Sequence, residues 1–182
     1  MKIKDKICKN CGGKFTPRNS LQIACSYPCA IELAKKKEVE KKKKEVRKEI
    51  KADKEKLMTY SDWLKAFQQI FNAYIRLRDK DLPCISCGAK INNSGHASHF
   101  FSVGSYPNLR FNEDNVWRSC IECNLHKHGN TAEYSIRLKK HIGEERFNKL
   151  LELRKEPLKL SISEIQEQIK IYKEKIKTLK HE

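Results

Sequence analysis

The sequence contains no long apolar run and no apolar segment at its N-terminus. No stretch of about 18 apolar residues, the length that would predict a membrane-spanning helix, occurs in the 182 residues. The opening residues, Met-Lys-Ile-Lys-Asp-Lys, lack the apolar core of a secretory signal peptide. We therefore expect neither a membrane span nor export, and we predict that the protein stays in a reducing cytoplasm.

Acidic residues are scarce relative to basic ones. The chain has 23 Asp and Glu against 39 Lys and Arg, which gives a formal net charge of +16 at pH 7 and a pI near 9.5. Such an excess predicts a polyanionic partner, either nucleic acid or an anionic membrane surface. Because no membrane span is present in the sequence, we favour nucleic acid. The length suits one compact domain with extensions, or two small domains.

No cysteine is left outside a close pair. The eight cysteines form the pairs Cys8/Cys11, Cys25/Cys29, Cys84/Cys87 and Cys120/Cys123. A reducing cytoplasm disfavours disulfides, whereas thiolates two or three residues apart can bind one tetrahedral Zn²⁺. The alternative is a set of buried or redox-active cysteines, which four such pairs disfavour. We predict two structural zinc sites, since four cysteine ligands leave no open position for water.

Residues 1–30 are predicted to form a zinc knuckle. The segment Cys8-Lys-Asn-Cys11-Gly-Gly is typical of a metal-binding turn, and Ser26 is placed to cap a helix whose first turn contains Cys29. Such a knuckle folds through its metal rather than through a large core. Contact with DNA, contact with a protein and simple capping of the fold are all compatible with it.

Residues 31–58 form a Lys/Glu-rich stretch that lacks both Gly and Pro. This composition predicts a solvated and largely single helix. The helix could be a spacer or an arm that contacts phosphates. Because lysines outnumber acids here, we favour a spacer that also binds DNA without sequence preference.

Residues 59–182 are predicted to form the main domain. An amphipathic helix should begin near Ser61 and end before Pro83. Its apolar positions recur at three- and four-residue steps and are expected to form core rather than a base-stacking surface: Trp63, Phe67, Ile70, Tyr74 and Leu77. The segment Asn130-Thr-Ala-Glu133 resembles a capping box that opens a helix, and Gly143 should end that helix.

The C-terminal segment has an apolar stripe with the spacing of a heptad repeat. Its members are Ile162, Ile165, Ile169, Tyr172, Ile176 and Leu179. Fewer than three heptads are short for an independent coiled coil. The stripe therefore either packs on the main domain or forms a homodimer contact through residues 161–180.

The residues with catalytic potential lie between and just after the last two cysteine pairs. The 32 residues that separate Cys87 from Cys120 contain His96 and His99, and Asn124-Leu-His126 follows Cys123 directly. If these cysteines bind one zinc ion, the insert folds back and brings the two segments close together. Hydrolysis of a phosphodiester needs a base that activates water and a hard cation that neutralises charge. A neutral histidine can be the base, while oxygen ligands and an imidazole can hold the cation.

These residues resemble the HNH nuclease motif in its four-cysteine form. The resemblance rests on His99, on Asn115-Val-Trp and on Cys120-Ile-Glu-Cys123-Asn124-Leu-His126. It implies a β-hairpin and a helix around one catalytic Mg²⁺ or Mn²⁺ ion, braced by the zinc-binding turns.

Further segments resemble the lambda-type phage NinG (Rap) recombination endonucleases over nearly the whole chain. These segments are Arg76-Leu-Arg-Asp79, Asp81-Leu-Pro-Cys84-Ile-Ser-Cys87-Gly88, Leu109-Arg-Phe-Asn-Glu113, Cys123-Asn-Leu-His-Lys127 and Gly129-Asn130. The resemblance implies a structure-specific nuclease that cuts branched DNA, such as D-loops and Holliday junctions, in the cytoplasm of a bacterial host.

The resemblance also implies roles for single residues. His99 matches the general base, Asn115 the asparagine that ties the hairpin loop together, and Asn124 a ligand of the catalytic metal. His126 is a further candidate for metal or leaving-group contact. His96 and His99 are candidates for the metal site beside Asn124.

One position departs from the motif. Many HNH enzymes have a metal-binding Asp directly before the first histidine, whereas this chain has Ser98. Glu113, Asp114 and Glu122 are candidates to replace the missing carboxylate, and spacing alone does not select among them.

The sequence as a whole predicts an α+β fold, predominantly helical, with a zinc-braced ββα-metal core. The N-terminal knuckle and the long charged helix lie outside this core. Three rival hypotheses remain: a non-catalytic zinc-finger DNA-binding protein, an HNH nuclease of the restriction or homing type, and a cysteine-based redox protein. The last lacks a recognisable βαβ context for its cysteine pairs.

Overall fold

The computed structural model describes residues 4–92 and 95–181 of the chain. It is predominantly helical, with two small antiparallel sheets, and is therefore an α+β structure. The chain divides into two compact units, with the boundary between Met58 and Thr59. No helix in the described ranges has both the length and the apolar character needed to cross a membrane.

The N-terminal unit consists of a short hairpin followed by one long helix. Strand β1 (Lys6–Ile7) pairs antiparallel with β2 (Lys14–Phe15). Helix α1 (Tyr27–Lys56) begins after Ser26, whose hydroxyl accepts a hydrogen bond from the Cys29 amide, so the predicted cap is confirmed. None of the residues of α1 is buried. The helix is accordingly solvated along its length, as the Lys/Glu-rich composition predicts.

In the C-terminal unit, helix α2 (Tyr60–Arg78) begins one residue before the predicted Ser61. Thr59 and Asp62 form a reciprocal capping box, which stabilises this start. The predicted core role is confirmed at Trp63, Phe67 and Tyr74, whereas Ile70 and Leu77 are only half-buried. The buried face of the helix is completed by Leu64, Phe71 and Ile75.

Helix α5 (Ile162–His181) packs against α2. Ile165, Ile169 and Tyr172 are buried, and the Tyr172 ring lies 5.2 Å from the Phe71 ring. The heptad-spaced stripe thus packs within its own domain at these three positions, which is one of the two interpretations of the pattern. A homodimer through residues 161–180 stays a prediction.

The second sheet lies between α2 and a group of smaller helices. Strand β3 (His96–His99) pairs antiparallel with β4 (Val116–Ser119). A π-helical turn (Glu122–His126), helix α3 (Thr131–Ile142) and helix α4 (Glu144–Leu153) follow. Strand β4, α3 and α4 share one hydrophobic cluster with two residues from the connecting segments: Ile85, Leu109, Trp117, Tyr134, Leu138, Ile142, Phe147 and Leu150.

The capping box predicted at residues 130–133 is wrong, although the helix bounds are correct. Asn130 adopts a left-handed conformation (φ 49°, ψ 55°) and its side chain makes no cap hydrogen bond. A capping side chain needs an extended backbone to reach the first helical amides, and the turn through Gly129 (φ 90°) removes that geometry. At the other end Gly143, with φ 84°, terminates α3 as predicted.

Candidate functional site

The eight cysteines form two tetrads. Within each tetrad the four sulfur atoms lie within 4.8 Å of one another, so each group could hold a metal ion. The first tetrad combines the turn between β1 and β2 with the start of α1, and contains Cys8, Cys11, Cys25 and Cys29. The second combines the turn before β3 with the segment after β4, and contains Cys84, Cys87, Cys120 and Cys123.

Backbone amides favour the thiolate form at one cysteine of each tetrad. The amides of Cys11 and Cys25 lower the pKa of Cys8 to about 6. Burial raises the pKa of Cys84, but the amides of Cys87 and Cys120 outweigh it and lower the pKa to about 7. The Cys120 amide donates to Cys84 Sγ over 3.3 Å. Since the thiolate is the form that binds metal, both turns are preorganised for a cation.

Other thiols in the tetrads hold their protons when no cation is near. Hydrogen bonding to Cys11 and its neighbours raises the pKa of Cys25 to about 12. Burial and the neighbouring thiols raise the pKa of Cys123 to about 12. Four thiolates this close together repel one another unless a dication offsets their charge. The donor sets therefore fit Zn²⁺, which binds four cysteine thiolates tetrahedrally.

The second tetrad fixes the hairpin and the turn that follows it. The Ile85 amide donates to the Arg118 carbonyl over 3.2 Å, which ties the first cysteine turn to β4. Cys120 follows β4 directly, and Cys123 lies in the π-helical turn beside Asn124. A metal ion bound by this tetrad would fix the position of Asn124 relative to β4.

The structure brings Asn124 to His96. Asn124 Nδ2 lies 3.2 Å from His96 Nδ1. His96 is directly opposite Ser119 in the β3–β4 register, so both side chains lie on one face of the sheet. Among the described residues, Ser119 Oγ is the one buried side-chain polar atom that lacks a hydrogen-bond partner. Buried hydroxyls normally have a partner, and this one lies on the same face of the hairpin as His96.

His99 is at the other end of β3, and its orientation is set by a backbone carbonyl. His99 Nε2 lies 3.0 Å from the carbonyl oxygen of Arg110. Because a carbonyl only accepts, the proton is on Nε2 and the lone pair is on Nδ1. Burial lowers the pKa of His99 below its ordinary value of 6.5; the hydrogen bond to the Arg110 carbonyl opposes this shift and the nearby charge of Arg110 adds to it. The imidazole is therefore neutral at pH 7.

Asn115 closes the loop between the two strands. Its Oδ1 accepts from the Phe101 amide over 2.8 Å, and its Nδ2 donates to the carbonyls of Phe101 and Leu109, each over 3.0 Å. The side chain is fully buried. Since Leu109 precedes Arg110, these bonds also position the carbonyl that holds His99.

Two of the acidic residues considered as replacements for the missing carboxylate have other partners. Glu113 accepts hydrogen bonds from Tyr74, Tyr172 and Lys175. Asp114 pairs with Arg146.

The remaining candidates differ in their surroundings. Ser98 is buried, and its carbonyl accepts from the Tyr134 hydroxyl. Glu122 and His126 are exposed in the π-helical turn. The structure therefore brings His96 and Asn124 together at one end of β3, whereas His99 lies at the other end and, three residues on, on the opposite face of the strand.

Sequence reasoning did not assign a role to Arg110 or to its neighbour Gln68. Arg110 belongs to the segment Leu109–Glu113, on which the family resemblance partly rests. The role of its backbone carbonyl cannot be predicted from a pattern of side chains. Arg110 Nε donates to Gln68 Oε1 over 2.7 Å, across 42 positions of sequence. No local signal could reveal that contact.

The fold and these groups define a small, strongly basic protein with two candidate zinc tetrads, one of which braces a histidine-bearing hairpin. The family model described as "Bacteriophage Lambda NinG protein" matches residues 1–182, and the chain belongs to this family. The resemblance to phage NinG proteins seen in the sequence is thereby confirmed.

Relatives from several phages support this assignment. Protein ninG of Escherichia phage lambda is 39% identical over 159 residues, which cover 79% of this chain and 78% of the relative. Protein ninG of Salmonella phage P22 is 40% identical over 152 residues, which cover 75% of each chain. Protein ninG of Escherichia phage 933W is 42% identical over 101 residues, which cover 56% of this chain and 50% of the relative. No solved structure matches the chain.

Proposed function

We propose that the chain is a metal-dependent DNA endonuclease of the HNH type that cuts branched recombination intermediates. The observation that supports this most directly is the state of His99, whose proton is fixed on Nε2 by the Arg110 carbonyl. A neutral imidazole with a free Nδ1 lone pair is what a general base requires. The hairpin that carries it leads directly into the cysteine tetrad and Asn124.

The proposed reaction divides the work between the two ends of β3. His99 Nδ1 takes a proton from the attacking water, and Asn115 keeps the loop that orients His99 in place. His96 and Asn124 would hold Mg²⁺ or Mn²⁺, which when bound neutralises charge on the scissile phosphate.

The ligands present favour Mn²⁺ over Mg²⁺. Mg²⁺ prefers oxygen ligands and near-octahedral geometry, whereas His96 offers a nitrogen and Asn124 one amide oxygen. Within residues 4–92 and 95–181, no set of three His, Cys, Asp or Glu ligand atoms lies within 4.8 Å outside the two tetrads. The cation would therefore keep several water ligands, and we expect higher cutting rates with Mn²⁺.

Charge supports DNA as the substrate. The net charge of +16 and the fully solvated helix α1 provide affinity for phosphates without sequence information. The choice of branched DNA and the place in recombination follow from the NinG resemblance.

A non-catalytic DNA-binding protein is the second candidate, because His96 and Asn124 have no carboxylate beside them to complete a metal site. Cleavage of a labelled four-way junction, compared with a linear duplex of the same sequence, distinguishes the two. Wild type, His99→Ala and the control His181→Ala, an exposed histidine at the end of α5, are each tested with Mg²⁺ and with Mn²⁺.

Metal-dependent cutting of the junction that His99→Ala abolishes and His181→Ala preserves would support the proposal. Equal cutting of both substrates would retain the nuclease and exclude the specificity for branches. Binding without metal-dependent cutting would establish the non-catalytic alternative.

A further inference from the structure

Arg110 is half-buried near the hairpin and, unlike Arg78 and Arg146, has no acidic partner among the described residues. Arg78 pairs with Asp79 and Glu113, and Arg146 pairs with Asp114. Among the described residues, no carboxylate forms an ion pair with Arg110. A guanidinium that is partly withdrawn from water usually has an anionic partner.

The side chain of Arg110 is nevertheless held in one orientation. Its Nε donates to Gln68 Oε1 over 2.7 Å. Gln68 is oriented in turn, because its Nε2 donates to Asn72 Oδ1 over 2.7 Å. The guanidinium also lies 5.6 Å from the Phe111 ring centroid. One of the three guanidinium nitrogens is therefore occupied by Gln68, and the two terminal nitrogens have no partner among the described residues.

The backbone of Arg110 contacts the proposed base. The carbonyl of Arg110 accepts from His99, and the preceding carbonyl, of Leu109, accepts from Asn115. Arg110 also directly follows a 3₁₀ turn, Pro107–Leu109, which limits its freedom. The loop that fixes His99 thus fixes the start of the Arg110 side chain as well.

We propose that Arg110 is a phosphate-binding residue that contacts a phosphodiester of the DNA strand next to His99, and that Gln68 is its positioning residue. Two parallel N–H donors match the geometry of two phosphate oxygens. The proposal rests on the proposed nuclease function for the identity of the anion. It also explains why the segment Leu109–Glu113 contains both a positioned carbonyl and a positioned cation.

The test separates binding from cutting. Affinity for a labelled four-way DNA junction is measured as a function of salt, without Mg²⁺ or Mn²⁺, and single-turnover cleavage is measured with Mn²⁺. The variants are Arg110→Gln, Arg110→Lys and Gln68→Leu. None of them removes the Arg110 carbonyl, so the hydrogen bond to His99 is preserved.

Two matched controls account for general effects. Arg154→Gln removes another half-buried arginine, which directly follows α4 and whose Nε donates to the Leu151 carbonyl. Gln69→Leu alters the exposed neighbour of Gln68. Circular dichroism and zinc content confirm that every variant is folded.

We expect Arg110→Gln to reduce the slope of log affinity against log salt by about 0.9, the value for one lost phosphate contact on duplex DNA. Cleavage should fall on the order of 10²-fold, as for other lost donors at a reacting centre. Arg110→Lys should retain the salt slope and lose most of the cleavage rate. Gln68→Leu should lower cleavage more than Gln69→Leu at an unchanged slope.

A salt slope for Arg110→Gln that equals that of wild type or of Arg154→Gln would overturn the proposal, even if wild type cuts DNA. If the salt slope of Arg110→Gln is reduced but wild type binds DNA without cutting it, Arg110 is still a phosphate-binding residue and the proposed nuclease function is rejected. Should Arg110→Gln fail to fold, the salt slopes of Arg110→Lys and of the charge-neutral Arg110→Met are compared instead. A slope that is lower by one phosphate contact in Arg110→Met would support the proposal, and equal slopes would overturn it.

Discussion

The N-terminal and C-terminal units each contain a cysteine tetrad, but only the second surrounds its tetrad with a hydrophobic core. Among residues 4–58 of the first unit, Cys8, Pro17 and Ala24 are the buried ones, whereas the second unit buries aromatic and aliphatic side chains from α2 to α5. A unit with so little core depends on its metal for its fold. We propose on this comparison that a metal ion bound by the same ligand set would have a folding role in one unit and a positioning role in the other.

The largest expected effect comes from breaking one tetrad at a time. Cys84→Ser should lower single-turnover cleavage at least about 10²-fold, because displacing a reacting group by 1 Å has that effect. Cys8→Ser should unfold the hairpin β1–β2 but leave the cutting rate of bound DNA nearly unchanged. Zinc content and single-turnover cleavage at saturating protein measure both. Equal loss of cleavage in the two variants would contradict the division of roles.

A second, smaller effect concerns the affinity for DNA that we assign to α1. Changing Lys41, Lys42, Lys43 and Lys44 to Gln together should reduce the salt slope of binding by up to about 0.9 for each lysine that contacts a phosphate. Cleavage at saturating protein should not change, because the proposed base and the proposed ligands of the catalytic cation are in the other unit. Salt titration by fluorescence anisotropy measures the slope.

The matched control for α1 removes four positive charges from α5 instead. It changes Lys170, Lys173, Lys177 and Lys180 to Gln. If both quadruple variants lose the same slope, affinity depends on total charge, and α1 has no special part in binding.

The pH dependence of cutting should be a property of the C-terminal unit alone. Burial lowers the pKa of His99 below 6.5, so the neutral base persists as the pH falls through 6.5 and is lost only below that value. The rate should then fall about tenfold per pH unit. Because the pKa of His99 is lower in the folded protein than in the unfolded chain, the unfolded chain takes up a proton first as the pH falls. His99 therefore makes the folded state less stable below pH 6.5.

Single-turnover rates at saturating Mn²⁺, between pH 5 and 8, measure this limb. The DNA affinity contributed by the lysines of α1 should stay flat over this range. A midpoint above 6.5 would contradict the buried, neutral state of His99.

The smallest effect tests the packing of α5 on α2. Tyr172→Phe removes a hydrogen bond of 2.8 Å to Glu113, and bonds to charged groups contribute about 1.5–3 kcal/mol. The free energy of unfolding of the C-terminal unit should fall by about that amount or less, since Glu113 keeps its bonds to Tyr74 and Lys175. Chemical denaturation followed by tryptophan fluorescence measures it, because both tryptophans are in this unit. Tyr60→Phe, at an exposed position, should have no effect.

Signals that act within a few residues were the ones that sequence could predict. Ser26 caps α1 and Gly143 ends α3, because caps and left-handed termini are local in the chain. Asn130 was misassigned as a cap because its conformation depends on the turn through Gly129 that leads back from the cysteine tetrad. The types of the neighbouring residues do not predict that turn.

The candidate site shows the same division. The two tetrads were predictable, since cysteine pairs of this spacing have few other uses in a reducing compartment. The proximity of His96 and Asn124 was expected from folding about one metal, but the engagement of Glu113 with α2 and α5 was not. The partners of Glu113 are residues far from it in sequence, and no periodic pattern in the sequence predicts these contacts.

By itself, the sequence determined the charge, the two cysteine tetrads that could hold a metal ion, the main helices and the family to which the chain belongs. These depend on residue types and short spacings. Only the tertiary structure decided the protonated nitrogen of His99, the pairing of α5 with α2 and the orientation of Arg110. Each of these depends on a carbonyl or side chain outside the local segment, 11 positions away for His99 and 42 for Arg110, and such contacts exist only once the chain has folded.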